Sequence, residues 1–290
     1  MNLLQERIRR DNLRYVLDFL RRRGGVSQAD VVVETGLRPS TVSYLVRELR
    51  AGGYVETIGR GESGTTGGKP PLILGLNPNR GSYLGLSWDS GTISAAVTDF
   101  AGNAITDVMT VVIEQDRTDT IDQTRTIMDE LVRLAERARR AAIEARGGGT
   151  EDLLGAGLAV GSIVDGTGTI HPSVDFPWHV LGAGSVLARA LQLSDSVPFV
   201  VENDANCVAL DVRRLLPTVP DTILALVVTA DPFSAGAGIM IRDRLVRGRS
   251  GSTGELLAGD VVHTIEEVDR ACAVAVRMVD PDYLAVALPA

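Results

Sequence analysis

Within the first 50 residues, apolar side chains recur at helical spacing in three short segments that turn residues separate. The first segment covers residues 12–23 and ends at two glycines. The second opens with Ser27 as N-cap and the acidic Asp30 three positions on, and it stops at Gly36. The third begins at Pro39, which suits a first helical position because it has no N–H to leave unpaired. The pattern predicts three short helices in close succession.

The third segment, residues 39–50, has two different faces. The residues at i, i+3, i+4 and i+7 that should face a core are Val42, Leu45, Val46 and Leu49. The residues that follow the same spacing on the opposite face are Ser40, Ser43, Tyr44 and Arg47. Strand-like runs at 54–58 and 72–76 then indicate a hairpin. Three helices and a hairpin predict a winged helix-turn-helix.

Basic residues concentrate in the same part of the chain. Residues 1–80 carry 13 of the 29 Lys and Arg but 8 of the 37 Asp and Glu. A net charge of -8 excludes a uniformly basic nucleic-acid-binding protein, whereas a basic end favours a localised DNA-contacting surface. The predicted DNA contacts are Arg38, Ser40, Thr41, Ser43, Tyr44, Arg47 and Lys69. The alternative is a solvated helix face beside a flexible Gly-rich loop.

Turn-forming residues at 77–81 mark a domain boundary, so we predict one domain at residues 1–78 and another at 79–290. In the second domain, strands at 83–88, 92–98 and 108–114 precede a long helix at 118–146 and a strand at 153–164. Helices and strands alternate after that point. The predicted class is α/β, with room for two lobes.

Composition excludes several other kinds of protein. Two distant cysteines, Cys207 and Cys272, give neither a disulfide framework nor a CxxC pair. The chain has no run of about 18 apolar residues, and its first residues do not form a signal peptide. Its three histidines match no metal-binding or hydrolase motif. We therefore expect a cytoplasmic protein that does not contact a membrane.

Three stretches together carry a family resemblance. They are residues 24–55, the Gly-Lys-Pro-Pro-Leu-Ile-Leu-Gly-Leu-Asn-Pro run at 68–78, and Val-Glu-Asn-Asp-Ala-Asn at 201–206. The chain resembles the ROK family (repressors, open reading frames, kinases), in particular its transcriptional repressors. The resemblance covers nearly the whole chain, and the Glu-Asn-Asp-Ala-Asn string is its most specific element. It implies that residues 79–290 form an actin-like, sugar-kinase-like ROK domain, shortened at its C-terminal end.

The resemblance also implies a sugar site. In family members that are kinases, the Asp of this string takes a proton from a sugar hydroxyl and the neighbouring Asn holds the sugar. The matching positions here are Asp204 and Asn203, and Glu255 stands where the family has a sugar-binding Glu. Carboxylates and amides suit sugars because vicinal hydroxyls offer paired donors and acceptors. The alternatives are that Asn203 and Asp204 only cap a helix, or that all three residues are remnants of a lost site.

The nucleotide and zinc motifs of the family are altered in this chain. Ser87 replaces the acid of the first phosphate motif, and Asp89-Ser90-Gly91-Thr92 is typical of a simple hairpin tip. In the second phosphate loop, Asp231 and Pro232 stand where backbone amides should meet phosphate. The zinc-binding cysteines expected after Glu255 are missing. We therefore expect no catalytic residue, no cofactor and no metal.

The leading hypothesis is a sequence-specific DNA-binding repressor of carbohydrate-related genes. We expect it to bind a double-stranded operator as a homodimer or higher homo-oligomer and to sense a sugar or a sugar phosphate. One alternative is a sugar kinase with an appended DNA-binding domain. The other is a DNA-binding dimer that binds no small ligand.

Overall fold

A computed structural model describes residues 3–62, 70–89, 91–113, 120–149, 152–172, 180, 182–230, 233–257 and 263–287. The chain forms two compact units. The first comprises Met1–Gly81, Asp99–Asn103 and Arg214–Thr218. The second comprises Ser82–Thr98, Ala104–Arg213 and Val219–Ala290.

The first unit contains three helices and a β-hairpin, as the sequence predicted. The elements are α1 (Leu3–Arg23), α2 (Gln28–Thr35), α3 (Pro39–Ala51), β1 (Val55–Arg60) and β2 (Leu72–Leu76). The two strands pair antiparallel, and a single bridge joins Val26 to Leu74. Helix α1 begins earlier than the predicted residue 12, because residues 3–11 contain no glycine or proline that would stop it. The arrangement is a winged helix-turn-helix.

Local capping sets the ends of the middle helix and the start of the third. The Ser27 hydroxyl accepts a hydrogen bond from the Asp30 N–H (3.2 Å), while the Asp30 carboxylate accepts one from the Ser27 N–H (2.7 Å). Helix α2 ends at Gly36, whose φ of +65° is readily available to glycine. Pro39 occupies the first turn of α3. The predicted core face of α3 is buried: Val42, Leu45, Val46 and Leu49.

The second unit begins with a five-stranded sheet of order β5-β4-β3-β6-β9. Its strands are β3 (Ser82–Asp89), β4 (Thr92–Asp99), β5 (Met109–Val112), β6 (Leu153–Val160) and β9 (Phe199–Asn203). Strands β3, β6 and β9 are parallel, so their carboxyl ends meet at one edge of the sheet. The other elements of this half are α4 (Thr120–Ala145), β7 (Ile163–Val164), β8 (Ile170–His171), α5 (Ala183–Ala190) and α6 (Asp204–Leu215).

A second sheet of order β12-β11-β10-β13 follows. Its elements are β10 (Thr222–Ala230), β11 (Phe233–Ile241), β12 (Arg244–Leu245), α7 (Ile265–Val279) and β13 (Tyr283–Ala287). The first three strands form an antiparallel meander, and β13 then pairs parallel to β10. The first sheet opens in the same order, with the meander β3 to β5 and the parallel strand β6. Two lobes with this shared strand order form the predicted actin-like architecture.

The core of the first lobe lies between its sheet and helix α4. Leu131 and Leu134 of α4 are fully buried against apolar residues of β3 and β4, which include Trp88 and Ile93.

The prediction of a single strand at 153–164 was wrong, because the chain leaves the sheet after β6. Ser162 is buried there and donates a hydrogen bond to the His171 carbonyl (2.6 Å). This bond supports the short β7–β8 hairpin instead of a continued strand.

Candidate functional site

One candidate site is the outer face of α3. Six of the seven predicted DNA-contacting residues lie in this helix or at its N-cap. Five of them are exposed: Arg38, Ser40, Ser43, Tyr44 and Arg47. Thr41 is half-buried, and Lys69 lies outside the described residues. The fold therefore brings small, polar and basic side chains together on one helical surface.

The arginines of this domain differ in their partners. Arg9 pairs with Glu48, and Arg22 lies 3.3 Å from the Asp18 carboxylate, so both are engaged by acids. Arg47 instead lies over the ring of Tyr44, with 5.5 Å between the guanidinium carbon and the ring centroid. Its contact is with an aromatic face on the exposed side of α3. The charge of Arg47 is thus presented to solvent, where an anionic partner can reach it.

The second candidate site lies at the carboxyl edge of the parallel strands. Asp89 ends β3, Gly161 follows β6, and Asp204 follows β9. A Cβ added at Gly161 would lie 3.0 Å from Asp89 Oδ1 and 3.6 Å from Asp204 Oδ2, so both carboxylates flank this glycine. They line a cleft of about 220 Å³, together with residues that include Ser87, Val208 and Val227. Two acids therefore share one small, partly apolar cleft.

The environment of Asp204 changes its acidity. Its pKa is raised from 3.8 to about 7, chiefly by burial and also by the carboxylates of Asp89 and Glu255, while the hydrogen bond from the Ala205 N–H (2.7 Å) opposes the change. A carboxyl group that titrates near neutral pH can both accept and return a proton there. Such strongly perturbed groups concentrate at functional sites.

Asn203 is held in place at the start of α6. Its Oδ1 accepts a hydrogen bond from the Asn206 N–H (3.1 Å), which caps the helix, and its Nδ2 donates to the Ser162 carbonyl (3.1 Å). The side chain is therefore engaged structurally at both ends. Glu255 is exposed, and its charge acts on Asp204. The three residues of the predicted sugar site thus lie in one region of the second unit, with Asn203 also acting as a cap.

An ion pair between the buried Glu202 and the partly exposed Arg247 supports this region. Glu202 is buried, and its Oε2 accepts hydrogen bonds from Nε (2.9 Å) and Nη2 (2.6 Å) of Arg247, while its Oε1 accepts one from Asn206 (2.9 Å). Arg247 immediately precedes the segment that leads to Glu255. In that segment Gly254 has φ +103°, and a Cβ there would lie 1.8 Å from the Ala237 carbonyl oxygen. The ion pair links the residues before Asp204 to the segment carrying Glu255.

Sequence reasoning missed Asp89 and the Glu202–Arg247 pair. Asp89 was interpreted as a hairpin tip, although its place after an apolar strand was a usable signal. Glu202 and Arg247 are 45 positions apart, and no local pattern joins them. Two other sequence predictions fall on residues outside the described ones: the altered phosphate loop at Asp231 and Pro232, and the missing zinc-binding cysteines in the region around Asp260.

Replacing Arg247 by alanine is expected to lower the free energy of unfolding by about 2 kcal/mol, because it leaves the buried Glu202 carboxylate without its charged donor. The control is Arg133→Ala, which removes an exposed ion pair with Glu130 and should change stability by less than about 0.5 kcal/mol. Urea unfolding at pH 7 measures both. Equal losses for the two variants would contradict a stabilising role for the Glu202 pair.

In the described part of the chain, no helix is both long and apolar enough to cross a bilayer. The same residues contain no group of three or more His, Cys, Asp or Glu side chains that could hold a metal ion.

Sequence comparison extends these observations. Residues 14–64 match the family model described as MarR family. The xylose repressor of Staphylococcus xylosus is 23% identical over 259 residues, which cover 89% of this chain and 63% of the relative. The xylose repressor of Bacillus subtilis is 26% identical over 250 residues, which cover 86% of this chain and 60% of the relative. The chain spans about 60% of the length of these curated relatives.

Solved structures share the fold. A ROK family transcriptional regulator, a homologue of the E. coli MLC protein, aligns with a TM-score of 0.57 and 18% identity over 80% of this chain and 54% of that chain. The ROK hexokinase of Thermus thermophilus aligns with a TM-score of 0.50 and 20% identity over 72% of this chain and 82% of that chain. These likenesses show a shared fold: a winged helix-turn-helix whose residues 14–64 match the MarR family model precedes an α/β domain with the fold of the ROK structures.

Proposed function

We propose that this protein is a sequence-specific DNA-binding repressor of carbohydrate-related genes, whose ROK-type domain binds a sugar effector and no longer acts as a kinase. In this proposal it works in the cytoplasm as a homodimer on a double-stranded operator. The observation that carries the proposal is the exposed polar and basic face of α3 within a winged helix-turn-helix. The curated relatives are named xylose repressors, which supports the proposal of a repressor of carbohydrate-related genes.

The DNA-binding part follows from the shape and chemistry of α3. The major groove of B-DNA admits one α-helix, and base edges there offer donors and acceptors to polar side chains. The inner face of α3 is fixed by four buried residues, so the helix is held rigidly on its domain. Arg38 and Ser40 are placed at its N-terminal end, where helix N–H groups also favour phosphate. Two copies related by a twofold axis would bind two half-sites.

The sugar-binding part rests on the acidic cleft. Carboxylate oxygens accept hydrogen bonds from hydroxyl groups, and the apolar Val208 and Val227 provide surface for a sugar ring. A volume of about 220 Å³ accommodates a small ring. Ser87 lines this cleft where kinases of the family carry an acid, which argues against phosphoryl transfer. The proposed sugar-contacting residues are Asp204, which lines this cleft, and Asn203 and Glu255, which lie in the same region but outside its lining.

Replacing Arg47 by alanine is expected to weaken binding to the best operator by roughly 5- to 150-fold, the range for loss of one direct base contact. The operator would be found by selecting fragments from a random double-stranded library with the full chain, and affinities would be measured by fluorescence anisotropy. Arg133→Ala, an exposed arginine of the second unit, is the control and should bind like the wild type. An Arg47→Ala variant that keeps full affinity would contradict the proposed surface.

Thermal stabilisation by sugars separates the proposal from a DNA-binding dimer without a ligand. A panel of unphosphorylated pentoses and hexoses and their phosphates would be tested on the wild-type protein, because a ligand that binds only the folded state raises the unfolding temperature. We expect a shift with at least one sugar and a smaller shift for Asp204→Ala. No shift with any compound would favour the alternative.

One observation favours the other candidate function, a sugar kinase. The pKa of about 7 at Asp204 suits a general base at neutral pH. A kinase would consume MgATP in a sugar-dependent manner and would be stabilised by nucleotide. We expect neither result from the wild-type protein under conditions where a sugar binds.

A further inference from the structure

We infer that Tyr44 orients Arg47 to read a guanine in the major groove, so that the pair determines one position of the operator. This assignment rests on the proposed DNA-binding function and goes further, because it names the base and separates a base-reading arginine from a phosphate-binding one.

The direction of helical side chains explains why the two residues meet. Tyr44 and Arg47 are three positions apart on α3, and long helical side chains lean toward the N-terminus, over the residue at i−3. The guanidinium carbon of Arg47 accordingly lies 5.5 Å from the Tyr44 ring centroid. Tyr44 itself is 48% exposed, so the ring supports the arginine at the surface. The pair points the charge toward the N-terminal half of α3, the part of a recognition helix that contacts base edges.

The partner of an arginine determines which N–H donors of its guanidinium remain available for DNA. A carboxylate partner uses the N–H edge of an arginine, as Asp18 does with Arg22 at 3.3 Å. An aromatic ring uses the flat face and leaves the N–H donors at the edge available. In the part of the chain that the structure describes, Arg47 forms no ion pair, and its contact is the Tyr44 ring. Two N–H donors of one guanidinium match the O6 and N7 acceptors of guanine.

Arg38 provides the contrast within the same surface. It precedes the first turn of α3, is exposed, and makes no capping hydrogen bond with its side chain. An arginine at a helix N-terminus is placed beside the groups that bind phosphate. We therefore assign Arg38 to the DNA backbone and Arg47 to a base edge. The two roles differ in sequence dependence and in salt dependence.

The experiment uses the full chain as wild type and as Tyr44→Phe, Tyr44→Ala, Arg47→Lys, Arg47→Ala and Arg38→Ala variants. Operators are selected from a random double-stranded library. Binding is then measured for the best site, for every single-base substitution in it, and over a range of salt concentrations. Circular dichroism checks that each variant is folded, which we expect because both side chains of the pair are exposed.

The assignment predicts a specific pattern. Arg47→Ala should lose discrimination at one guanine, and Arg47→Lys should lose most of it, because lysine lacks the planar fork. Tyr44→Ala should reduce discrimination at the same guanine by about two- to fivefold, the effect of one exposed cation–π contact. Tyr44→Phe should keep it, since the ring remains. Arg38→Ala should weaken binding to all sequences alike and reduce the magnitude of the slope of log affinity against log salt concentration by about 1.

Three outcomes would overturn the assignment. Arg47 would be a phosphate contact if Arg47→Ala weakened binding to all sequences equally and reduced the slope of log affinity against log salt concentration. A Tyr44→Phe variant as defective as Tyr44→Ala would place the effect in the hydroxyl group rather than the ring. Effects of Tyr44→Ala and Arg47→Ala at different base positions would mean that the two residues act separately. If the wild type selects no sequence at all, the proposed DNA-binding function itself fails, and this assignment falls with it.

Discussion

Replacing Asp204 by asparagine is expected to stabilise the protein by about 4 kcal/mol at pH 8 and to have little effect near pH 4. The pKa of this carboxyl is raised from 3.8 to about 7 in the folded protein, chiefly by burial and then by Asp89 and Glu255. The folded state therefore holds a proton that the unfolded state releases. Wild-type stability falls as pH rises from about 4 to 7, and the loss is complete above pH 7.

Urea unfolding of both proteins at pH 4.5, 6 and 8 measures this difference. Asparagine is close to aspartate in shape, and its Oδ1 can still accept the Ala205 N–H. The control with the opposite sign is Asp165→Asn. Hydrogen bonds from Thr167, His171 and Thr169 lower the pKa of Asp165, so its contribution is present above its unfolded pKa and is lost in acid. Asp165→Asn should therefore destabilise at pH 8.

An Asp204→Asn variant with wild-type stability at pH 8 would contradict the raised pKa. The expected stabilisation has a functional meaning as well. A carboxyl group whose pKa is raised by burial, in a cleft beside Asp89, suits a site for ligand hydroxyls or proton transfer. The same variant should weaken any sugar binding found for the wild type, since the amide replaces a charged acceptor with a neutral one.

Replacing Gly238 by alanine is expected to cost about 3 kcal/mol of stability. A Cβ at this position of β11 would lie 2.1 Å from the Ala205 carbonyl oxygen and 3.0 Å from the Ala209 Cβ. Both atoms belong to α6, so the strand and the helix cannot keep their present distance. Because Ala205 follows Asp204 directly, the displacement should also move the carboxylate and change its pKa. Urea unfolding and the pH dependence of stability measure the two effects.

Gly85→Ala is the matched control for this substitution. Gly85 also lies in a strand, β3, but the nearest atom to an added Cβ is the Ala96 carbonyl oxygen at 3.9 Å, an ordinary contact. Alanine there should change stability by less than about 1 kcal/mol, and it can even stabilise by restricting the unfolded chain. Similar losses for both glycines would mean that strand glycines in general, rather than the close approach of β11 to α6, cause the effect.

The sequence alone predicted those features that depend on neighbours along the chain. The cap formed by Ser27 and Asp30, the left-handed Gly36 and the first-turn Pro39 are local interactions, so they fixed the positions of α2 and α3. Helical spacing likewise determined which face of α3 is buried. Two boundaries were less well predicted. Helix α1 includes residues 3–11, which contain no glycine or proline to stop it, and the strand predicted at 153–164 ends earlier, because the buried Ser162 bonds to the His171 carbonyl instead.

Only the tertiary structure decided which distant side chains meet. Parallel pairing of β3, β6 and β9 places Asp89 beside Asp204 at the bare Cα of Gly161, although 115 positions separate the two acids along the chain. Glu202 meets Arg247 for the same reason. The physical reason is that strand order and the close approach of backbones determine these contacts, and neither leaves a periodic signal in the sequence. The sequence thus determines which residue types are available for the cleft. The fold brings the two acids together and buries Asp204, which raises the pKa of its carboxyl.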